Sequence, residues 1–158
     1  MKFSDFIAPK AIQSSLTSTD KETVIGELVD ALVASGNIKA SDREDIIRAI
    51  MKREELGSTG IGRGIAVPHT KHAGVERLVG TVGVSQDGIE FDSLDGQNAQ
   101  LFFLLVSPPD RPGDHLRALE NISRQLRDDT FCRFLKHSKN TEDIVQLLEE
   151  ADNNHFNP

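Results

Sequence analysis

The chain has one cysteine, Cys132, among 158 residues, so no intramolecular disulfide can form; a reducing compartment agrees with this without being required by it. No stretch approaches the roughly 18 apolar residues of a membrane span. The opening Met1-Lys2-Phe3-Ser4-Asp5-Phe6 carries an acid where a signal peptide needs an apolar run. The expectation is a cytoplasmic protein, neither exported nor inserted in a membrane. Clustered basic residues are also missing. Eighteen Lys and Arg are scattered against 25 Asp and Glu, for a net charge of -7. Phosphate backbones demand concentrated positive charge, so nucleic acid is not an expected partner. Docking to a basic patch on another protein is still open, because association follows local potentials more than total charge.

What is present is ordinary for a globular chain, with 37% hydrophobic and 27% charged residues. The length suits one domain, assigned to residues 1–151, with a frayed tail over 152–158 where no apolar pattern persists. Thr19 and Glu22 have the spacing of a capping box, and the buried stripe Val24, Ile25, Leu28, Val29, Leu32 and Val33 follows, stopped by Gly36. Ser41 and Glu44 repeat the signal ahead of Ile46, Ile47, Ile50 and Met51. Strands are predicted at 65–67, 78–85, 89–91 and 99–106, the last buried on both faces. Asp114 is predicted to cap a third helix facing inward through Leu116, Leu119, Ile122 and Leu126. Two shorter helices follow, around 131–137 and 141–149. Helices at both ends with strands between them imply an α/β layered domain, a central mixed sheet of four or five strands covered by helices on both faces.

The candidate chemistry is concentrated in Gly57-Ser58-Thr59-Gly60-Ile61-Gly62-Arg63-Gly64-Ile65-Ala66-Val67-Pro68-His69. A helix leads through a glycine loop and a short strand to one imidazole, with Pro68 fixing the backbone direction and small neighbours that let another protein approach closely. A neutral imidazole is a good nucleophile near physiological pH, and phosphohistidine keeps enough transfer potential to be passed on. Taken without its context, His69 reads first as a strand-end histidine with a satisfied hydrogen bond, and it is the context that favours the chemical reading. The glycine loop is not a nucleotide cradle, because such motifs place a strand before the glycines and a helix after them. A hydrolase using Ser58 or Cys132 as nucleophile lacks a nucleophile-elbow motif, and Cys132 lies in a pattern where a buried thiol is expected. His72 three residues after His69 hints at a metal pair, but no third ligand is near in sequence, so no metal or cofactor is expected.

The run 53–69 resembles the active-site signature of enzyme IIA domains of the fructose and mannitol class in the bacterial phosphotransferase system. The steps Leu56-Gly57-Ser58-Thr59-Gly60-Ile61-Gly62 and Ala66-Val67-Pro68-His69 are most similar to its nitrogen-regulatory branch. The resemblance implies that His69 accepts a phosphoryl group from the phosphocarrier protein HPr and holds it as a signal or passes it to a cysteine of a IIB domain. It implies that His115, in Asp114-His115-Leu116-Arg117, stabilises the phosphohistidine and that Arg53 lies near the phosphate, with Ser58 and Thr59 as weaker hydroxyl donors. Independently, a helix start favours anions at His115, and a guanidinium fork suits phosphate oxygens at Arg53. Thr70 and Lys71 depart from the family, many of whose members carry glycine beside the histidine. A binding module that keeps the fold without phosphorylation is the alternative of another class.

Overall fold

The computed structural model describes residues 1–156. Helix α1 spans Lys21–Ala34 and α2 spans Arg43–Glu55; then come strands β1 (Gly60–Gly62), β2 (Ile65–Ala66), β3 (His69–Lys71), β4 (Val79–Ile89) and β5 (Ala99–Ser107), and helices α3 (Pro112–Gln125), α4 (Asp129–Lys136) and α5 (Thr141–Asp152). The apolar spacing behind α1 and α2 operates as predicted, but their caps do not. Asp20, one residue past Thr19, accepts the Thr23 amide at 2.9 Å. A 3-10 turn over Ala40–Asp42 leads into α2, which has no side-chain cap, and Glu44 pairs with Arg43 instead of reaching back. Both Asp and Ser or Thr satisfy a free helix amide, so neighbouring candidates compete.

β5 is the spine of the five-stranded sheet. β4 lies antiparallel along one edge, from Val79 opposite Val106 to Ile89 opposite Ala99. β2 and β3 lie end to end along the other edge, both parallel to β5, pairing Ile65 with Leu101 and His69 with Leu105. β1 closes the far side of β2. Two predictions change here. The predicted strands at 78–85 and 89–91 are replaced by a single strand that ends at Ile89, with an irregularity in its pairing between Val84 and Ile89 and with Glu90 and Phe91 beyond it. His69-Thr70-Lys71, outside every predicted strand, is a strand as well. Pro68 cannot donate to a ladder, but its carbonyl accepts the Leu105 amide at 3.0 Å and carries the line of strands across the break.

Alternate residues of β5 feed two cores. Leu101, Phe103 and Leu105 pack with Ile122 of α3 and Leu126 at its end, Phe131 and Leu135 of α4 and Ile144 and Leu148 of α5. Phe102, Leu104 and Val106 pack with α1 and α2. This period of two sorts side chains between opposite faces, and the fold is the helix-covered α/β sheet expected. Helix α3 differs in detail. Arg111 stands at its N-cap with Pro112 in the first turn, rather than Asp114 as the cap, and Leu116 is exposed. Its inward face instead carries His115, Ala118, Asn121, Ile122 and Gln125.

The carboxy-terminal segment is also more ordered than predicted. Asp152 accepts the amides of Phe3 and Ser4 at 2.7 and 3.0 Å, and the Phe156 ring lies 5.0 Å from that of Phe131. One aromatic side chain is too sparse a pattern to reveal this docking. The remainder of the expected tail, 157–158, lies outside the described residues.

Gly80 shows how tightly the sheet edge is closed. Its amide donates to Phe6 and its carbonyl accepts from Ala8, while a Cβ there would lie 2.8 Å from Leu105 Cδ2 and 2.9 Å from the Leu104 carbonyl. Gly80→Ala is therefore expected to cost about 1–3 kcal/mol through forced backbone movement. A lowered urea midpoint would register it.

Candidate functional site

In a parallel pair, residues in register show their side chains on the same face of the sheet. His69 is in register with Leu105 and Lys71 with Ser107, so all four belong to the α3 side. At the point where β5 ends and the chain turns through Pro108-Pro109 into α3, the helix brings in His115. The two imidazole centroids are 5.3 Å apart with their planes inclined by 55°. His69 and His115, separated by a strand, a hairpin and a loop in sequence, thus form one site on the α3 face of the sheet, beside the carboxyl end of β5.

The ring of His69 is fixed in one orientation. Its Nδ1 lies 2.7 Å from the Val67 carbonyl oxygen. A carbonyl only accepts, so Nδ1 carries the hydrogen and Nε2 keeps its lone pair. Burial pushes the His69 pKa below the ordinary value; the Val67 hydrogen bond opposes this, and the Arg53 charge adds to the lowering. His115 is 7% exposed and is driven down to about 4, first by burial and then by the neighbouring His69 and Lys71 charges. Both rings are neutral near pH 7. The Nδ1 of His115 meets the Ser107 hydroxyl at 2.5 Å.

Arg53, in the last turn of α2, donates to the Gly57 carbonyl at 3.0 Å and sits close enough to act electrostatically on His69. Ser58 and Thr59 adjoin the same loop, but their hydroxyl hydrogens are committed. Ser58 donates to the Phe91 carbonyl at 2.7 Å and accepts from the Gly60 amide, and Thr59 donates to Glu54. They shape the loop and offer no free donor. The helix-start argument for His115 also narrows, since its amide bonds back to the Arg111 carbonyl.

Two further residues support the site. Glu54 is buried, pairs with Lys21 at 2.9 Å and receives the Thr59 amide at 3.1 Å, which ties the start of the glycine loop to α1. In the charged run Lys52-Arg53-Glu54-Glu55 nothing distinguishes it from its solvent-facing neighbours. Ser107, in sequence, is only the polar end of an apolar strand. His72 is held apart from the pair: its Nδ1 accepts from Gly74 at 2.9 Å and its Nε2–H donates to Asp45 at 2.5 Å. Among the described residues, no group of three His, Cys, Asp or Glu side chains is arranged for a metal ion, and no helix is long and apolar enough to cross a membrane. Cys132 is buried, and burial raises its thiol pKa, which leaves it poorly suited as a nucleophile.

Exposed apolar side chains flank these elements. Leu56 precedes Gly57, Ile61 follows Gly60, whose carbonyl accepts the Leu94 amide, and Leu116 follows His115.

The family model described as "Phosphoenolpyruvate-dependent sugar phosphotransferase system, EIIA 2" matches residues 5–151. The chain is 32% identical to a nitrogen regulatory protein of Bradyrhizobium diazoefficiens, over 94% of this chain and 95% of that protein. It is 35% identical to the fructose-specific EIIABC component of Bacillus subtilis over 96% of this chain, while spanning only 24% of that longer protein. The crystal structure of the nitrogen regulatory protein IIA-Ntr from Neisseria meningitidis is similar with a TM-score of 0.82 at 26% identity, covering 91% of this chain and 97% of that one.

Proposed function

The chain belongs to the EIIA 2 family of the phosphoenolpyruvate-dependent sugar phosphotransferase system, and from that premise we propose that it is a cytoplasmic phosphoryl carrier that accepts its group on Nε2 of His69 from an HPr-type donor. The observation that carries this reading is the Nδ1 contact to the Val67 carbonyl at 2.7 Å. It presents a neutral, oriented nucleophile with its lone pair on the nitrogen away from the backbone.

The transfer is a balanced exchange. The Nε2 lone pair forms a bond to phosphorus, the donor's nitrogen–phosphorus bond breaks, and its electron pair returns to the donor imidazole. The His69 ring acquires positive charge, which the Val67 carbonyl stabilises through Nδ1–H. His115 donates a hydrogen bond to a phosphoryl oxygen, Arg53 supplies cationic field and Lys71, on the same strand face, adds to it. The exposed Leu56, Ile61, Leu94 and Leu116 provide apolar contact for the protein donor and acceptor. The added charge of roughly -1.5 to -2 near pH 7 is large enough to alter docking, so the same event serves as a signal or as transit to a IIB domain.

The test is intact-mass spectrometry at alkaline pH after incubation with phosphoenolpyruvate, enzyme I and HPr. One acid-labile phosphoryl group is expected. Absence of uptake with fully charged HPr would favour the binding-module alternative. Adding a IIB domain then separates the outlets: discharge onto its cysteine identifies the sugar-transport route, and retention identifies the regulatory one.

A further inference from the structure

We propose that Ser107 is a positioning residue of the phosphoryl site, holding His115 in the tautomer that carries its proton on Nε2. The inference rests on the carrier reading for its consequence, but its first test does not.

Ser107 ends β5 on the face that carries Leu101, Phe103 and Leu105, and it is 0% exposed. Its backbone is pinned from outside by the amide of His72, which donates to its carbonyl at 2.9 Å, and by the register with Lys71. The hydroxyl therefore approaches His115 Nδ1 at 2.5 Å from a fixed direction. Two proton arrangements fit that distance. In one, His115 Nδ1–H donates to Ser107, and the serine hydrogen then needs another acceptor. Among the described residues the Ser107 hydroxyl has no other hydrogen-bond partner, so that arrangement buries an unpaired donor. In the other, Ser107 donates into the Nδ1 lone pair and one bond satisfies both groups. The proton of the neutral ring is then on Nε2, at the opposite edge from Ser107.

The chemistry of the site makes this choice matter. Phosphoryl oxygens are acceptors, so a neutral His115 helps only if its free nitrogen is a donor; the other tautomer would turn a lone pair toward negative charge. An arginine or lysine is a donor in every state, whereas a neutral histidine beside a phosphoryl group needs a partner that selects its tautomer. Ser107 acts through His115 and touches no reacting atom.

The first measurement is long-range proton–nitrogen NMR of the unphosphorylated, histidine-labelled protein near pH 7. His115 is expected as a single Nε2–H tautomer in the wild type and in Ser107→Thr, and as a mixture in Ser107→Ala. The second is the lifetime of the phosphoryl group on the purified phosphoproteins, expected to shorten about 3- to 10-fold in Ser107→Ala, as loss of one hydrogen bond implies, and to recover in Ser107→Thr. An Nδ1–H His115 in the wild type overturns the proposal without requiring any variant to fold. An unchanged tautomer in Ser107→Ala overturns it as well. Wild-type protein that takes up no phosphoryl group from charged HPr would overturn the carrier reading and Ser107's consequence for it, while the tautomer measurement judges the Ser107–His115 contact independently.

Discussion

Replacing His69 with alanine is expected to reduce phosphoryl uptake below detection while leaving the protein folded. No other imidazole can substitute. His115 is buried, with Nδ1 engaged by Ser107, and His72 has Nδ1 occupied by Gly74 and its Nε2–H directed to Asp45. His137 caps α4 and His155 lies beyond α5, and neither belongs to the His69–His115 pair. The loss is that of the bonding atom itself, so no residual rate is expected from the remaining hydrogen-bond donors. His69 is only partly buried and among the described residues makes one side-chain hydrogen bond, to the carbonyl of Val67 two residues earlier, so a melting temperature within a few degrees of wild type is expected. Parallel mass spectra and thermal melts of the two proteins provide the check. Undiminished phosphorylation of the variant would place the acceptor elsewhere.

Acidification is expected to weaken the fold well before carboxylates titrate. His69 and His115 both have folded pKa values lowered by burial, His115 to about 4, from 6.5. The unfolded chain takes up protons at these residues as pH falls through 6.5, and the folded chain resists. Stability is therefore flat in these groups above the unfolded value and declines from pH 6.5 toward 4. A tenfold difference in proton affinity between the folded and unfolded chain is worth about 1.4 kcal/mol, so His115 contributes at most roughly 3 to 4 kcal/mol to the decline. Carboxylates with lowered values, Asp45 and Asp95 among them, enter only near and below their ordinary range around 3.8. Urea unfolding at pH 7.5, 6 and 5 measures the histidine limb, which His115→Gln is expected to flatten. A wild-type stability unchanged between pH 7.5 and 5 would show that neither ring resists protonation.

The fold is legible in the sequence where one periodicity dominates. The spacing of Val24, Leu28 and Leu32 identifies α1, and the continuous apolar run of β5 identifies a strand covered on both sides. Legibility fails where polar groups are buried or apolar ones exposed. Leu116 has the residue type of a core position and His115 that of a helix surface, yet α3 turns His115, Asn121 and Gln125 inward and Leu116 outward. β3 escapes a sequence reading because Thr70 and Lys71 lack apolar alternation; β5 makes them a strand by pairing.

The site divides in the same way. Glycine spacing, Pro68 and the terminal imidazole mark His69 as chemically special because each acts on its immediate backbone neighbours. The carbonyl that orients His69 is likewise local, only two residues away in Val67. The roles of Glu54 and Ser107 depend on contacts with groups remote along the chain or buried from water, Lys21 for one and His115 for the other. A residue's type announces what it can donate or accept, and short-range order places it on a face. Which partner it meets, which ring nitrogen retains a lone pair and how far a pKa moves follow from burial and approach across the sheet, and these exist only once the strands and helices have packed.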